Sequence, residues 1–180
     1  RALSGGVTTD DIFDMVKRLR EKTEIPLVFM TYLNTVFHYG YEAFFERCQD
    51  VGIDGIIIPD LPFEEKEEVD VVASRYGIDL ISMIAPTSKE RIRKIAKGAK
   101  GFLYVVSSMG VTGERTNITT DIGGMLKEIR SVSSVPAAVG FGIHTPDQAA
   151  EISKTADGVI VGSAVVKLIE KYGSHAGGHL

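Results

Sequence analysis

Val139-Gly140-Phe141-Gly142-Ile143 and Val159-Ile160-Val161-Gly162-Ser163-Ala164 decide the fold: each is an apolar run that ends in a glycine turn. In a parallel β/α barrel the loops after the last two strands bare backbone N–H groups, and the short helix that follows points its positive end at a dianion. Glycine suits such turns because a Cβ would hold a phosphate away from the backbone. Either turn alone reads equally as a plain connector. Their order, spacing and place late in the chain make them a pair, and the pair predicts a phosphate clamp.

Working outward, strand-like runs fall at 25–31, 55–59, 79–84, 101–106, 135–139 and 158–161. They are nearly continuous in Val, Ile and Leu, as strands covered by helices on both faces must be. Between them lie helical patterns with one apolar face, such as Tyr41-Phe44-Phe45-Cys48, Ile92-Ile95-Ala96 and Ile122-Met125-Leu126-Ile129. The unit recurs every ~20–35 residues, which is the length of a crossover and too long for a hairpin. The fold class expected is α/β, of the (β/α)8 TIM-barrel family. A full barrel has eight units in ~250 residues, whereas this chain opens with a helix at 10–20 that has no strand before it. About six units of an N-terminally truncated barrel are therefore expected. An open doubly wound sheet is disfavoured, since its first βα turn would bind the phosphate.

Residues 1–172 read as a single barrel domain and 173–180 as a flexible Gly/His tail. His175 and His179 would share a helix face, but Gly173, Gly177 and Gly178 disfavour a helix, and no metal site is expected there. Helix starts are marked by Thr8-Thr9-Asp10-Asp11, Pro62-Phe63-Glu64-Glu65, Thr87-Ser88-Lys89-Glu90 and Thr145-Pro146-Asp147. The acidic run 64–68 is a solvated first turn.

With 180 residues and 44% hydrophobic content, the chain can bury one substantial core. A net charge of −4 with both signs interspersed offers no basic field for nucleic acid or anionic lipid. The single cysteine, Cys48, reads as a small core residue and cannot form an internal disulfide. No apolar run reaches ~18 residues and no leader pattern is visible, so a cytoplasmic address is expected.

Five segments carry a more specific signal: Pro26-Leu27-Val28-Phe29-Met30-Thr31-Tyr32-Leu33-Asn34, Ile57-Ile58-Pro59-Asp60-Leu61-Pro62, Gly110-Val111-Thr112-Gly113, Gly140-Phe141-Gly142-Ile143 and Gly162-Ser163-Ala164. In this order they resemble the tryptophan synthase alpha subunit family, from Arg1 to about Tyr172. That resemblance implies a lyase of tryptophan biosynthesis that cleaves indole-3-glycerol phosphate to indole and glyceraldehyde 3-phosphate by a retro-aldol step. It implies no cofactor, and a beta-subunit partner in an alpha2-beta2 heterotetramer, with pyridoxal phosphate confined to that partner. The family's acid–base glutamate and aspartate lie ahead of the position matching Arg1, so no lyase activity is expected of these 180 residues alone. Two other readings share the late glycine turns. One is a different phosphate-binding barrel enzyme, an epimerase or a thiamine-phosphate-synthase-like protein, and the other is a noncatalytic fragment that binds phosphate or a partner.

Carried over by position, the resemblance implies phosphate binding by the backbone of Gly113, Gly142, Gly162 and Ser163, with the Ser163 hydroxyl as a further donor. Ser163 reads equally as the N-cap of a helix at 165–171. Tyr32 and Tyr104 match pocket-lining tyrosines, Tyr104 and Phe29 being equally plausible as core. Thr112 sits in a polar stretch at 107–120 that resembles a closing lid, as a supporting residue without its catalytic aspartate. Asp60 and Pro62 match the loop facing the beta subunit, or else form only a turn. His38 and His144 read as loop residues, His144 near the phosphate.

Overall fold

Every strand pairing among the described residues is parallel, as the long spacing between apolar runs requires. The computed structural model describes residues 3–107, 121–140, 142–143 and 145–179. In chain order the elements are α1 (Thr9–Arg20), β1 (Val28–Met30), α2 (Leu33–Tyr39), α3 (Tyr41–Val51), β2 (Gly55–Ile57), α4 (Lys66–Arg75), β3 (Asp79–Leu80) and β4 (Ser82–Ile84). They continue with α5 (Lys89–Lys97), β5 (Leu103–Val106), α6 (Ile122–Arg130), β6 (Ala137–Gly140), α7 (Pro146–Ile152), β7 (Gly158–Val159) and α8 (Ser163–Tyr172). Turns of 3-10 helix occupy Leu3–Gly5, Phe63–Glu65 and Gly173–His179. The chain divides into two compact units, Arg1–Ile81 and Ser82–Leu180.

In the first unit the sheet order is β1-β2-β3, with Val28 opposite Gly55, Met30 opposite Ile57 and Ile56 opposite Leu80. The run at 79–84 is not one strand: it divides at Ile81, whose N–H donates to the Ile56 carbonyl at 2.9 Å. Phe13 and Val16 of α1, Phe44, Phe45 and Cys48 of α3, and Val69 and Ala73 of α4 are buried with Ile56 in one core. Phe13 meets Phe29, Tyr39 and Phe44 edge-on at centroid distances of 5.6, 5.7 and 5.4 Å, an arrangement that ring quadrupoles favour. Burial among these groups pushes the Cys48 thiol up to about 12. Thr8 and Asp11 form a reciprocal capping box that starts α1.

Periodicity does not anticipate α2, because its start is stabilised from elsewhere. Its N-cap, Tyr32, provides no side-chain bond. Instead the Leu33 N–H donates to Asp60 Oδ1 at 2.9 Å, from the loop after β2.

In the second unit the order is β4-β5-β6-β7, with Met83 opposite Tyr104, Tyr104 opposite Ala138 and Val139 opposite Val159. Ser88 caps α5, Asp121 caps α6, and Thr145 with Gln148 forms a capping box on α7. Residues 173–179, where the glycines disfavour an α-helix, nevertheless adopt regular local structure. They form a 3-10 turn against α8, with Ala176 buried and the His179 ring stacked on Tyr172 at 3.7 Å. Glycine disfavours an α-helix through backbone entropy, and these contacts offset that cost for a tighter turn.

Between α5 and α6, Glu128 is buried apart from a small exposed edge. Arg93 Nε donates to its Oε2 at 2.7 Å, and Lys89 Nζ lies 3.4 Å from Oε1. The Arg93 hydrogen bond, ahead of the smaller help from Lys89, holds the Glu128 carboxyl below the usual glutamate range. A folded-state pKa below the unfolded one stabilises the fold above the ordinary glutamate pKa, and that stability is lost as pH falls through the folded-state value. Glu128→Gln should therefore lower the urea midpoint at pH 7, with the gap to wild type narrowing steadily as the pH is taken below about 4. A gap independent of pH would show that the carboxylate charge contributes nothing.

Candidate phosphate site

Parallel pairing of β6 with β7 makes the chain leave both strands at the same edge of the sheet. The Ile160 N–H, donating to the Val139 carbonyl at 2.8 Å, extends this pairing to the turn itself. Beyond β6, Gly142 has φ +76°, a left-handed conformation that glycine adopts without strain, and a Cβ there would meet nothing within 4 Å among the described residues. Beyond β7, Gly162 is the N-cap of α8, with φ −111° and ψ −69°, and a Cβ there would likewise meet nothing within 4 Å among the described residues. Both turns thus present open backbone. Helix α8 begins at Ser163, two residues before the expected start, so Gly162 takes the cap position and Ser163 is the first helical residue. Ser163 is exposed. Its N–H belongs to the first turn, whose amides have no partner inside the helix and carry its positive end.

Gly140 is glycine for a different reason. A Cβ there would fall 2.3 Å from Tyr104 Oη and 2.6 Å from its Cζ. Tyr104, buried on β5, therefore lies across the end of β6, and burial raises its hydroxyl pKa. The Ser107 N–H, at the end of β5, donates to the Gly140 carbonyl at 3.0 Å. Ser107 is itself only 1% exposed. Sequence reading placed Ser107 at the head of a polar loop, and only its pairing with β6 reveals it as part of the turn's support.

The remaining candidates lie in the first unit or outside the described residues. Tyr32 is 67% exposed just beyond β1. Phe29 belongs to the aromatic cluster around Phe13. A mostly apolar cavity of about 330 Å³ lies beside the end of β1, lined in part by Phe29, Met30, Thr31 and Thr35. Asp60 caps α2 as described, and Pro62 starts the 3-10 turn at Phe63–Glu65, its carbonyl accepting the Glu65 N–H at 3.0 Å. His38 is exposed near the end of α2, edge-on to Phe37. Thr112, Gly113 and His144 fall outside the described residues. Among the described residues no group of three or more His, Cys, Asp and Glu is placed to share a metal ion, and no helix is long and apolar enough to cross a membrane.

The family model for the tryptophan synthase alpha chain matches residues 1–178. The chain belongs to that family. It is 52% identical over 171 residues to the tryptophan synthase alpha chain of Lacticaseibacillus casei, covering 95% of this chain and 64% of that relative. The chain thus spans a little under two thirds of the length of the curated relatives it matches. Among solved structures, the alpha subunit from Campylobacter jejuni superposes with a TM-score of 0.84 at 40% identity, covering 94% of this chain and 68% of that one. A chain from the tryptophan synthase a2b2 complex of Pyrococcus furiosus superposes with a TM-score of 0.89 at 34% identity, covering 100% and 73%. The tryptophan synthase alpha fold is a (β/α) barrel, and the α/β class expected from the apolar runs is the one observed.

Gly140→Ala should destabilise the chain by about 1–3 kcal/mol through overpacking against Tyr104. In a denaturation cycle, Tyr104→Ala should recover part of that loss. Additive effects of the two substitutions would mean that the ring and the turn are not in contact.

Proposed function

We propose that this chain supplies the phosphate-holding part of a lyase that cleaves indole-3-glycerol phosphate to indole and glyceraldehyde 3-phosphate. The observation that supports this reading is the adjacency of two open turns, at Gly142 and Gly162, on neighbouring parallel strands. In this reading the N–H groups of Gly142, Gly162 and Ser163 donate to the phosphate oxygens, joined by the Ser163 hydroxyl and by the N–H of Gly113. By the family resemblance Tyr32 and Tyr104, each in its own unit, are candidates for contact with the substrate, and Thr112 lies outside the described residues. The phosphate does not react, so its binding serves to orient the carbon skeleton for bond cleavage.

Cleavage needs a proton delivered to C3 of the indole ring, polarisation of the ring N–H, and removal of the proton from the glycerol hydroxyl beside the breaking bond. Two carboxylates of unlike basicity perform such work. We place that pair outside these 180 residues, which then bind the ester without turning it over, and the chemistry requires no cofactor on this side. The Pyrococcus furiosus relative is described as part of an a2b2 complex. For this chain we infer a beta-subunit partner facing the loop of Asp60 and Pro62, with any pyridoxal phosphate held by that partner.

Calorimetric titration of the 180-residue chain with glycerol 3-phosphate, beside an assay for indole release from indole-3-glycerol phosphate, tests the reading. Binding without release is expected. Gly162→Val should weaken binding by about tenfold or more, with a fall in thermal midpoint no larger than the loss of a favourable helix N-cap explains, since among the described residues its Cβ side is open. Equal affinity for glycerol and its phosphate would overturn the assignment.

A further inference from the structure

A hydrogen-bond pattern at the amino ends of the strands occurs twice in the chain. At the end of α6, Arg130 Nη2 donates to the Thr155 carbonyl at 2.7 Å and lies 3.3 Å from Asp157 Oδ1. Asp157 Oδ2 accepts the Ala137 N–H at 2.9 Å, and the Asp157 N–H donates to the Ala137 carbonyl at 3.0 Å. In the other unit, Arg20 at the end of α1 bonds the Gly52 and Ile25 carbonyls and Asp54 Oδ2. Asp54 Oδ2 accepts the Leu27 N–H at 2.7 Å, and the Asp54 N–H donates to the Leu27 carbonyl at 2.9 Å. The sequence carries the same repeat: Arg20 with Ile25-Pro26-Leu27 and Asp54-Gly55-Ile56-Ile57, then Arg130 with Val135-Pro136-Ala137 and Asp157-Gly158-Val159-Ile160.

The two copies lead to different loops. Beyond β2 the chain enters the Asp60 loop, and beyond β7 it reaches Gly162 and Ser163. Strand β7 has only 2 residues, so its backbone ladder specifies register weakly. A slip of one residue would carry Gly162 about 3.3 Å past Gly142 and turn every β7 side chain to the other face. Asp157 opposes that slip, because it both donates to and accepts from Ala137, a reciprocal bond that exists only in the observed register.

We propose that Asp157, gripped by Arg130, is a positioning residue for the phosphate site. It locks β7 against β6 in the register that sets Gly162 and Ser163 alongside Gly142. This rests on the phosphate reading above. Both side chains are about half exposed, at 44% for Asp157 and 53% for Arg130, so substituting them leaves the core packing intact.

Titration of the full chain with glycerol 3-phosphate, with urea stability measured on the same samples, tests the assignment against an internal control. Asp157→Ala should lose about tenfold in affinity. Asp157→Asn, whose amide oxygen still accepts the Ala137 N–H, should recover most of that loss. Asp54→Ala, the counterpart in the other unit, should lose stability to a similar degree yet bind within about twofold of wild type, because no phosphate turn follows β2. If Asp157→Ala does not fold, Arg130→Gln carries the test, with a loss of about threefold expected from freeing Asp157 from α6. Unchanged affinity in the folded Asp157 or Arg130 variant, or equal losses in the Asp157 and Asp54 variants, overturns the positioning role while the phosphate reading stands. Absence of binding by wild type would instead remove the phosphate reading itself, and this role with it.

Discussion

The parallel alignment of β6 and β7 is the constraint on which the candidate site depends. Antiparallel neighbours would send consecutive turns to opposite edges of the sheet, whereas parallel ones deliver both glycine turns to a single edge. Because α8 starts at that edge, its unbonded first-turn amides fall where the turns already expose backbone. In the proposed phosphate reading, main-chain amides of these turns supply the attraction for the anion. That reading is compatible with a net charge of −4, since an attraction local to the turns needs no field from the rest of the surface.

Three glycines near this edge are required by separate constraints. Gly140 yields space to the Tyr104 ring, Gly142 takes a left-handed backbone conformation, and Gly162 leaves the helix entrance uncovered. Of these three glycines, Gly142 and Gly162 have a Cβ side open among the described residues, which is why the proposed phosphate reading rests on them and not on Gly140. A similar economy governs Asp60. Its carboxylate fixes the start of α2 from a loop distant in sequence, so the loop that the family resemblance sets against a partner is also tied to its own unit.

Much of the architecture was legible because it is written in local patterns. The continuous apolar runs mark the strands, and the caps at Thr8, Ser88 and Thr145 lie within three residues of the amides they satisfy. What escaped reading is held by partners far apart in the chain. Helix α2 depends on Asp60, the shape of Gly140 on Tyr104, and the start of β7 on Ala137 and Arg130. Periodicity carries no trace of such pairings, since each is decided by which strands become neighbours. The 3-10 turn at Gly173–His179 was missed for a related reason: its glycines argue against a helix locally, while the Tyr172–His179 stack and the burial of Ala176 act through packing.

The lone sulfhydryl of Cys48 has a practical consequence. It is sealed inside the unit Arg1–Ile81, with a pKa far above neutrality, so a disulfide reagent reaches it only when that unit opens. The chain therefore carries a native reporter of opening in one half and none in the other, because no second cysteine exists. Comparing its modification rate with amide exchange in β5 and β6 would reveal whether the two halves melt as one cooperative body or in sequence.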